Sequence, residues 1–250
     1  MYSNPLRVSL LCLIALTLAL PHTHAQYGVG DTSIQVTGFQ FAYSPSLAMG
    51  HLAKKTGFFH SFSPGFSFKT RSNILVQFEL NLLVANNTRE DSVAAMIYSE
   101  VGMPISTEGL LEQVNPRWQG LSVHLQVGTL LLPSGHNTNS GLFGSLGLGY
   151  LQHRIHYDYK GEYVPQLEKP YVLGYDRFTN GLLLSQALAY RRYSNHNTIN
   201  YQLALELGQG LTRNRRSWNY DLYGPDNRLR LDMYIGLKMG IILPFYGVSP

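Results

Sequence analysis

The sequence predicts an all-β fold: an eight-stranded antiparallel transmembrane β-barrel with short periplasmic turns and long extracellular loops. Three observations predict it. Apolar and polar side chains alternate with a period of two over segments longer than the five or six residues usual for a soluble strand. The connections between these segments alternate between short and long. The composition holds 14% charged residues and 12% aromatic, with 17 Tyr and 24 Gly in 250 residues, where an ordinary soluble domain carries about 25% charge.

The first element is an address rather than part of the fold. Arg7 supplies a positive start, residues 8–20 form a mostly apolar core, and Thr23-His24-Ala25 ends on small residues at the two positions a signal peptidase reads. The apolar core rises only about 20 Å as a helix, against a hydrocarbon thickness of about 30 Å, so a cleaved signal is expected rather than an anchor. The expected division is therefore a signal peptide over 1–25 and one outer-membrane barrel domain over 26–250. Cys12, the single cysteine, falls inside the signal. Disulfides, cysteine nucleophiles and cysteine metal sites are excluded from the mature chain.

Eight strands follow in order. The first is expected over 33–47 and the second over 61–69, both with uneven alternation. The third, 73–83, is clean: Ile74, Val76, Phe78, Leu80 and Leu82 share one face, and Gln77, Glu79 and Asn81 the other. The fourth, 121–131, sets Leu121, Val123, Leu125 and Val127 against Ser122, His124 and Gln126. The fifth (141–156) and sixth (181–192) are again uneven. The seventh, 199–207, opposes Ile199, Tyr201, Leu203, Leu205 and Leu207 to Asn200, Gln202, Ala204 and Glu206. The eighth, 229–243, sets Leu, Met and Ile against Arg230, Asp232, Tyr234, Gly236, Lys238 and Gly240.

About ten tilted residues cross a bilayer, and a polar face of Gly, Ser, Gln and single charges suits a narrow interior better than the water-facing side of a sandwich. The connections 70–72, 133–140 and 194–197 are short, while 85–117, 157–180 and 213–228 are long and 51–60 is intermediate. Ser, Asn and Gly at the short ones suit tight turns. A helical turn is expected near 89–98. Tyr43, Phe66, Phe68, Tyr150, Tyr190, Tyr193, Phe245 and Tyr246 are expected in interfacial girdles. Because an open sheet edge is not tolerated in lipid, the first and last strands are expected to pair.

The chain resembles outer-membrane β-barrels of Bacteroidota, grouped with PorT-like and outer-membrane-protein-A-like barrels, over about 36–246. The resemblance is carried by Phe62-Ser63-Pro64-Gly65-Phe66-Ser67-Phe68-Lys69-Thr70-Arg71-Ser72-Asn73, by Gly174-Tyr175-Asp176-Arg177-Phe178-Thr179-Asn180-Gly181, by Thr212-Arg213-Asn214-Arg215-Arg216-Ser217-Trp218-Asn219-Tyr220-Asp221, and by the closing segment to Leu243-Pro244-Phe245-Tyr246. It implies fold and location, and for PorT-like members an association with type IX secretion. The aromatic end of the last strand also looks like the signal read by barrel-insertion machinery.

The strand phases point Glu79, His124, Glu206, Asp232 and Lys238 into the lumen, with Arg191 and Arg230 nearer the ends. In so narrow a barrel these read as a neutralising charge network rather than a conduction path. His153 and His156 fall on opposite faces of one strand, unlike a metal pair. Arg192-Tyr193-Ser194-Asn195 resembles a lipid A deacylase pattern, but Arg192 stands where the general base belongs. No catalytic residues, metal ligands or cofactor are expected.

The external loops mix aromatics with arginine, and Tyr163, Tyr175, Arg215, Arg216, Trp218 and Tyr220 are the interaction candidates. Expected partners are outer-membrane lipid or lipopolysaccharide, the insertion machinery, and proteins of a secretion or surface-attachment complex. The formal charge of +4, without a dense basic tract, argues against nucleic acid. The expectation is thus a structural or interaction protein, with a lipid-modifying barrel enzyme and a narrow channel as alternatives.

Overall fold

The computed structural model describes residues 32–86, 88–135, 137–194 and 200–245. The expected signal segment, Tyr246 and most of the 194–197 turn lie outside them. Eight strands run in chain order: β1 (Val36–Gly50), β2 (Phe58–Lys69), β3 (Ile74–Ala85), β4 (Asn115–Ser134), β5 (Asn137–Asp158), β6 (Thr179–Arg192), β7 (Asn200–Asn214) and β8 (Leu229–Phe245). Each pairs antiparallel with its neighbours, and β1 pairs with β8 from Thr37↔Phe245 to Gly50↔Asp232, so the sheet closes. Closure gives every strand a partner on both sides, which is what a backbone in hydrocarbon requires.

The side chains are distributed inside out. Phe78 is 49% exposed on the outer wall, whereas its neighbours Gln77 and Glu79 are 4% and 1% exposed within. Phe41, Phe62, Leu125, Leu148, Leu205 and Met239 continue the exposed band on other strands. An outer wall of Leu and Phe around a polar interior is stable only against acyl chains. The chain is an integral β-barrel of the bacterial outer membrane. No helix among the described residues is long and apolar enough to cross a membrane; the strands make the crossing.

Local chemistry sets the turns. At the β2–β3 turn Asn73 takes the left-handed conformation at φ 59°, which asparagine tolerates, while the Thr70 amide donates to the Ile74 carbonyl at 2.8 Å. The expected helical turn is a 3-10 helix over Asp91–Ile97. Phe39 meets Phe66 and Phe245 edge to face at 5.8 and 5.2 Å, forming part of a girdle at the turn end.

Tyr193 corrects the girdle expectation. It is 2% exposed and packs inside with Val36, Leu75 and Phe143, because it shares the inward parity of Arg191. β4 and β5 are also longer than expected, at 20 and 22 residues, since their pairing continues to Asn115↔Asp158.

The lumen is filled in layers from the turn end to the loop end. Val36, Leu75, Phe143 and Tyr193 come first. A polar layer centred on Glu79 and Lys238 follows. Above it lie Phe59, Leu83, Trp118, Leu151, Leu183 and Tyr234, with Leu52 entering from the β1–β2 connection. Phe59 packs against Trp118 and Tyr234 at ring separations of 5.2 and 5.7 Å.

Gly208 makes room for this aromatic layer, since a Cβ there would stand 2.2 Å from the Tyr234 ring. Gly208→Val is expected to displace that ring, break the 3.3 Å hydrogen bond from the Tyr234 hydroxyl to Glu206, and cost about 1–3 kcal/mol by overpacking. Urea unfolding in detergent micelles measures the loss.

Candidate functional site

Two regions gather chemistry: the middle of the lumen and the crown of loops above it. In the lumen, β3, β4, β7 and β8 bring four of the five sequence-predicted charges together. Lys238 donates to Glu79 Oε2 at 2.5 Å and also pairs with Glu206. His124 Nε2 lies 3.1 Å from Glu79 Oε2. Gln40 extends the cluster by donating to Glu79 Oε1 at 2.6 Å and accepting from Arg191 Nη2 at 3.3 Å. Arg191 also donates to Gln202 Oε1 at 2.5 Å. Two carboxylates are thus matched by a lysine in direct contact and an arginine one glutamine away. All of these groups are buried, so the network is paired out of reach of bulk solvent and held on strands.

Asp232 lies apart from them. It accepts from Thr212 Oγ1 at 2.5 Å, meets His153 Nε2 at 2.9 Å, and faces Lys55 at 4.0 Å. Lys55 follows a short 3-10 helix (Leu52–Lys54) that folds into the barrel mouth, and it donates to Thr179 Oγ1 at 3.3 Å. Burial pushes its ammonium below the ordinary lysine range, with Asp232 pulling the other way. Sequence parity already set His153 and His156 on opposite faces. The luminal glycines Gly147 and Gly149, on the same parity as His153, were the signal that could have marked it as the inward one.

The crown is an ordered structure with its own apolar centre. Val93 and Ala94 from the β3–β4 connection pack with Val164, Leu167 and Tyr175 from the β5–β6 connection and with Ile155 and Tyr157 at the top of β5. The Tyr157 hydroxyl donates to the Tyr175 carbonyl at 3.1 Å, and the Tyr175 ring packs against Tyr220 of the β7–β8 connection at 4.7 Å with the planes tilted by 40°.

Ion pairs lock the rim of this crown. Arg216 pairs with Asp176, its Nε 2.7 Å from Oδ1, and lies over the Phe178 ring at 5.0 Å. Arg177 pairs with Asp221 and reaches Asp226 at 3.7 Å, and Arg230 pairs with Asp226. Burial pushes the Asp226 carboxyl up. The Arg230 hydrogen bond and charge, the Arg228 amide and Arg177 outweigh that and hold it below the ordinary aspartate value.

The six loop candidates therefore divide. Tyr175, Arg216 and Tyr220 are internal to the crown. Tyr163 and Trp218 are 52% and 48% exposed on its surface. Arg215 is exposed at the top of the outer wall, donating to Asn180 Oδ1 at 2.6 Å. Two loop aromatics outside the six are also exposed: Tyr171, and Tyr223, which stands 72% exposed on a left-handed backbone at φ 51°. Left-handed geometry at an aromatic residue is not legible from residue type alone.

A carboxyl with a depressed pKa stabilises the fold above its unfolded value, and the contribution is lost as pH falls through the folded one. The crown is therefore expected to stay closed at neutral pH and to loosen only below the ordinary aspartate range. Asp226→Asn is expected to reproduce the acid state at pH 7. Faster trypsin cleavage after Arg228 in intact vesicles, with the barrel core uncut, is the readout.

No known family matches the chain, and no curated protein matches it. Among solved structures it is similar to Ail, the attachment invasion locus protein of Yersinia pestis, at 9% identity over 85% of this chain and 99% of that one, with a TM-score of 0.45. It is similar to Neisserial surface protein A at 12% identity over 84% and 97%, TM-score 0.41. It is also similar to the outer membrane protein AlkL at 13% identity over 92% and 97%, TM-score 0.37. The architecture rests on the closed ring of strand pairs rather than on these likenesses.

Proposed function

We propose that this barrel is a non-enzymatic, non-conducting platform whose loop crown docks other surface components. The observation that carries this reading is the pairing of a filled lumen with an ordered, aromatic-rich top. Lys238, Glu79 and Glu206 occupy the middle of the barrel, while Tyr163, Tyr171, Trp218 and Tyr223 stand exposed on loops fixed by ion pairs. Rigid loops lose little entropy on docking, and Trp and Tyr are enriched among the few residues that dominate binding energy in protein interfaces.

The partner class is a secretion or surface-attachment complex, with type IX secretion the first to test because the closing segment resembles that of PorT-like barrels. Handling by barrel-insertion machinery belongs to the same proposal. A photo-crosslinking residue at position 218, irradiated in intact cells, is expected to capture a discrete protein that Tyr163→Ala weakens. A crosslinker at 218 that captures only lipid or the chain itself contradicts the docking reading.

Planar-bilayer recordings are expected to stay flat, because buried side chains from Glu79 and Lys238 up to Trp118 and Tyr234 fill the lumen. The lipid A acyl pattern is expected to be the same with and without the protein. A changed pattern favours the lipid-modifying alternative.

A further inference from the structure

We propose a site for the phosphate of an outer-leaflet lipid on the outer wall of the barrel, across β4 to β7 at the loop end. It lies outside the lumen and below the crown. On β4 and β5 the outward positions change abruptly from apolar to polar: Leu121 gives way to Gln119 and Arg117, and Tyr150 gives way to Gln152 and Arg154. On β6 and β7 the change falls between Leu182 and Asn180 and between Leu211 and Arg213.

The register makes these positions neighbours. Gln119 pairs with Arg154, Gln152 with Asn180, and Asn180 with Arg213, while Arg215 reaches Asn180 from above. Arg213 stands two strands across from Gln152, and Arg154 lies two residues further up β5, so the two arginines are about 12 Å apart at the usual strand spacing and rise.

Three features point to a phosphate here. First, among the described residues no carboxylate lies within ion-pair distance of Arg154, Arg213 or Arg215, whereas Arg117 is already paired with Asp158 at 3.2 Å. Second, Arg154 is aimed rather than free: the Gln119 amide, turned so that its oxygen faces the guanidinium, accepts from Nε at 3.1 Å and Nη2 at 3.3 Å.

Third, a groove of about 480 Å³ beside Arg154 is lined by Leu82, Val84, Leu121 and Phe178 as well as Gln119 and Gln152. A cation beside a groove that is polar at Gln119 and Gln152 and apolar at Leu82, Val84, Leu121 and Phe178, on a membrane-facing wall, fits a lipid with its phosphate on the arginine and an acyl chain along the apolar side. The opposite wall lacks the pattern. The outward positions at the loop ends of β8, β1 and β2 include Leu229, Leu231, Leu47, Met49 and Phe58.

The test uses the full mature chain in phosphatidylcholine nanodiscs carrying lipid A, dephosphorylated lipid A, or neither with added inorganic phosphate, read by native mass spectrometry. The wild type is expected to retain lipid A. Arg154→Gln with Arg213→Gln is expected to retain it about tenfold less, with heat-modifiable mobility unchanged because both side chains lie on the exposed wall. Dephosphorylated lipid A is expected to be retained no better than by the double variant, and inorganic phosphate alone is expected not to bind. Equal retention by wild type and double variant, equal retention of the dephosphorylated lipid, or binding of free phosphate in place of lipid would overturn the proposal. None of these outcomes bears on crosslinking at Trp218, so this site and the crown docking stand or fall separately.

Discussion

Lys238→Met is expected to destabilise the barrel by about 3–5 kcal/mol, the cost of leaving buried charge without its partner. Lys238 is the only cation in direct contact with both Glu79 and Glu206 among the described residues, and its removal leaves two carboxylates facing each other in the buried middle of the lumen. Methionine keeps most of the volume, so the loss reports charge rather than packing. The triple variant Lys238→Met, Glu79→Gln and Glu206→Gln is expected to recover most of the stability, because it removes the network as a set. Urea unfolding in lipid vesicles measures both. A single variant as stable as wild type would show that the network contributes nothing.

Leu205→Arg is the second large effect and tests the wall rather than the interior. Leu205 is 51% exposed in the middle of β7, paired with Leu188 on β6 and Leu237 on β8, both also on the outer band. At mid-membrane an arginine on this face is expected to cost about 2–4 kcal/mol, while Leu229→Arg at the loop end of β8 costs at most about 1 kcal/mol. The same pair in detergent, where the wall can reorganise around the charge, should differ less. Equal costs at the two positions in vesicles would contradict the assigned depth of β7.

The sequence was most legible where the barrel is most ordinary. In the middle of β3, β7 and β8 the outward positions Phe78, Leu80, Leu203, Leu205, Leu237 and Met239 are apolar and the inward ones Gln77, Glu79, Asn81, Ala204, Glu206, Gly236 and Lys238 are small or polar, so parity alone oriented Glu79, Glu206 and Lys238. Legibility failed at the polar–apolar boundary. Above Leu121 and Tyr150 the pattern inverts: Arg117, Gln119, Arg154 and His156 face outward, while Trp118, Ile155 and Tyr157 face inward. A rule that expects apolar residues outside reads this inversion as the end of a strand.

The early start of β4 and the outer-wall arginines were therefore lost for the same physical reason. The separation of Asp232 from the other charges was invisible for another. Parity gives the face, but the height of a residue in the lumen depends on register between strands, which only the paired sheet supplies.

The β4–β5 hairpin gives the barrel an uneven height. Eight residues of β5 continue beyond Tyr150, and at about 3.4 Å per residue with a tilt near 40° they carry the ladder roughly 20 Å further. On the far side β1 and β2 stop close to the acyl zone. The molecule is thus a mast with a stay on one side only: the tall β4–β5 side carries Ile155 and Tyr157 up to the loops they brace, and the low β1–β2 side offers them no such post.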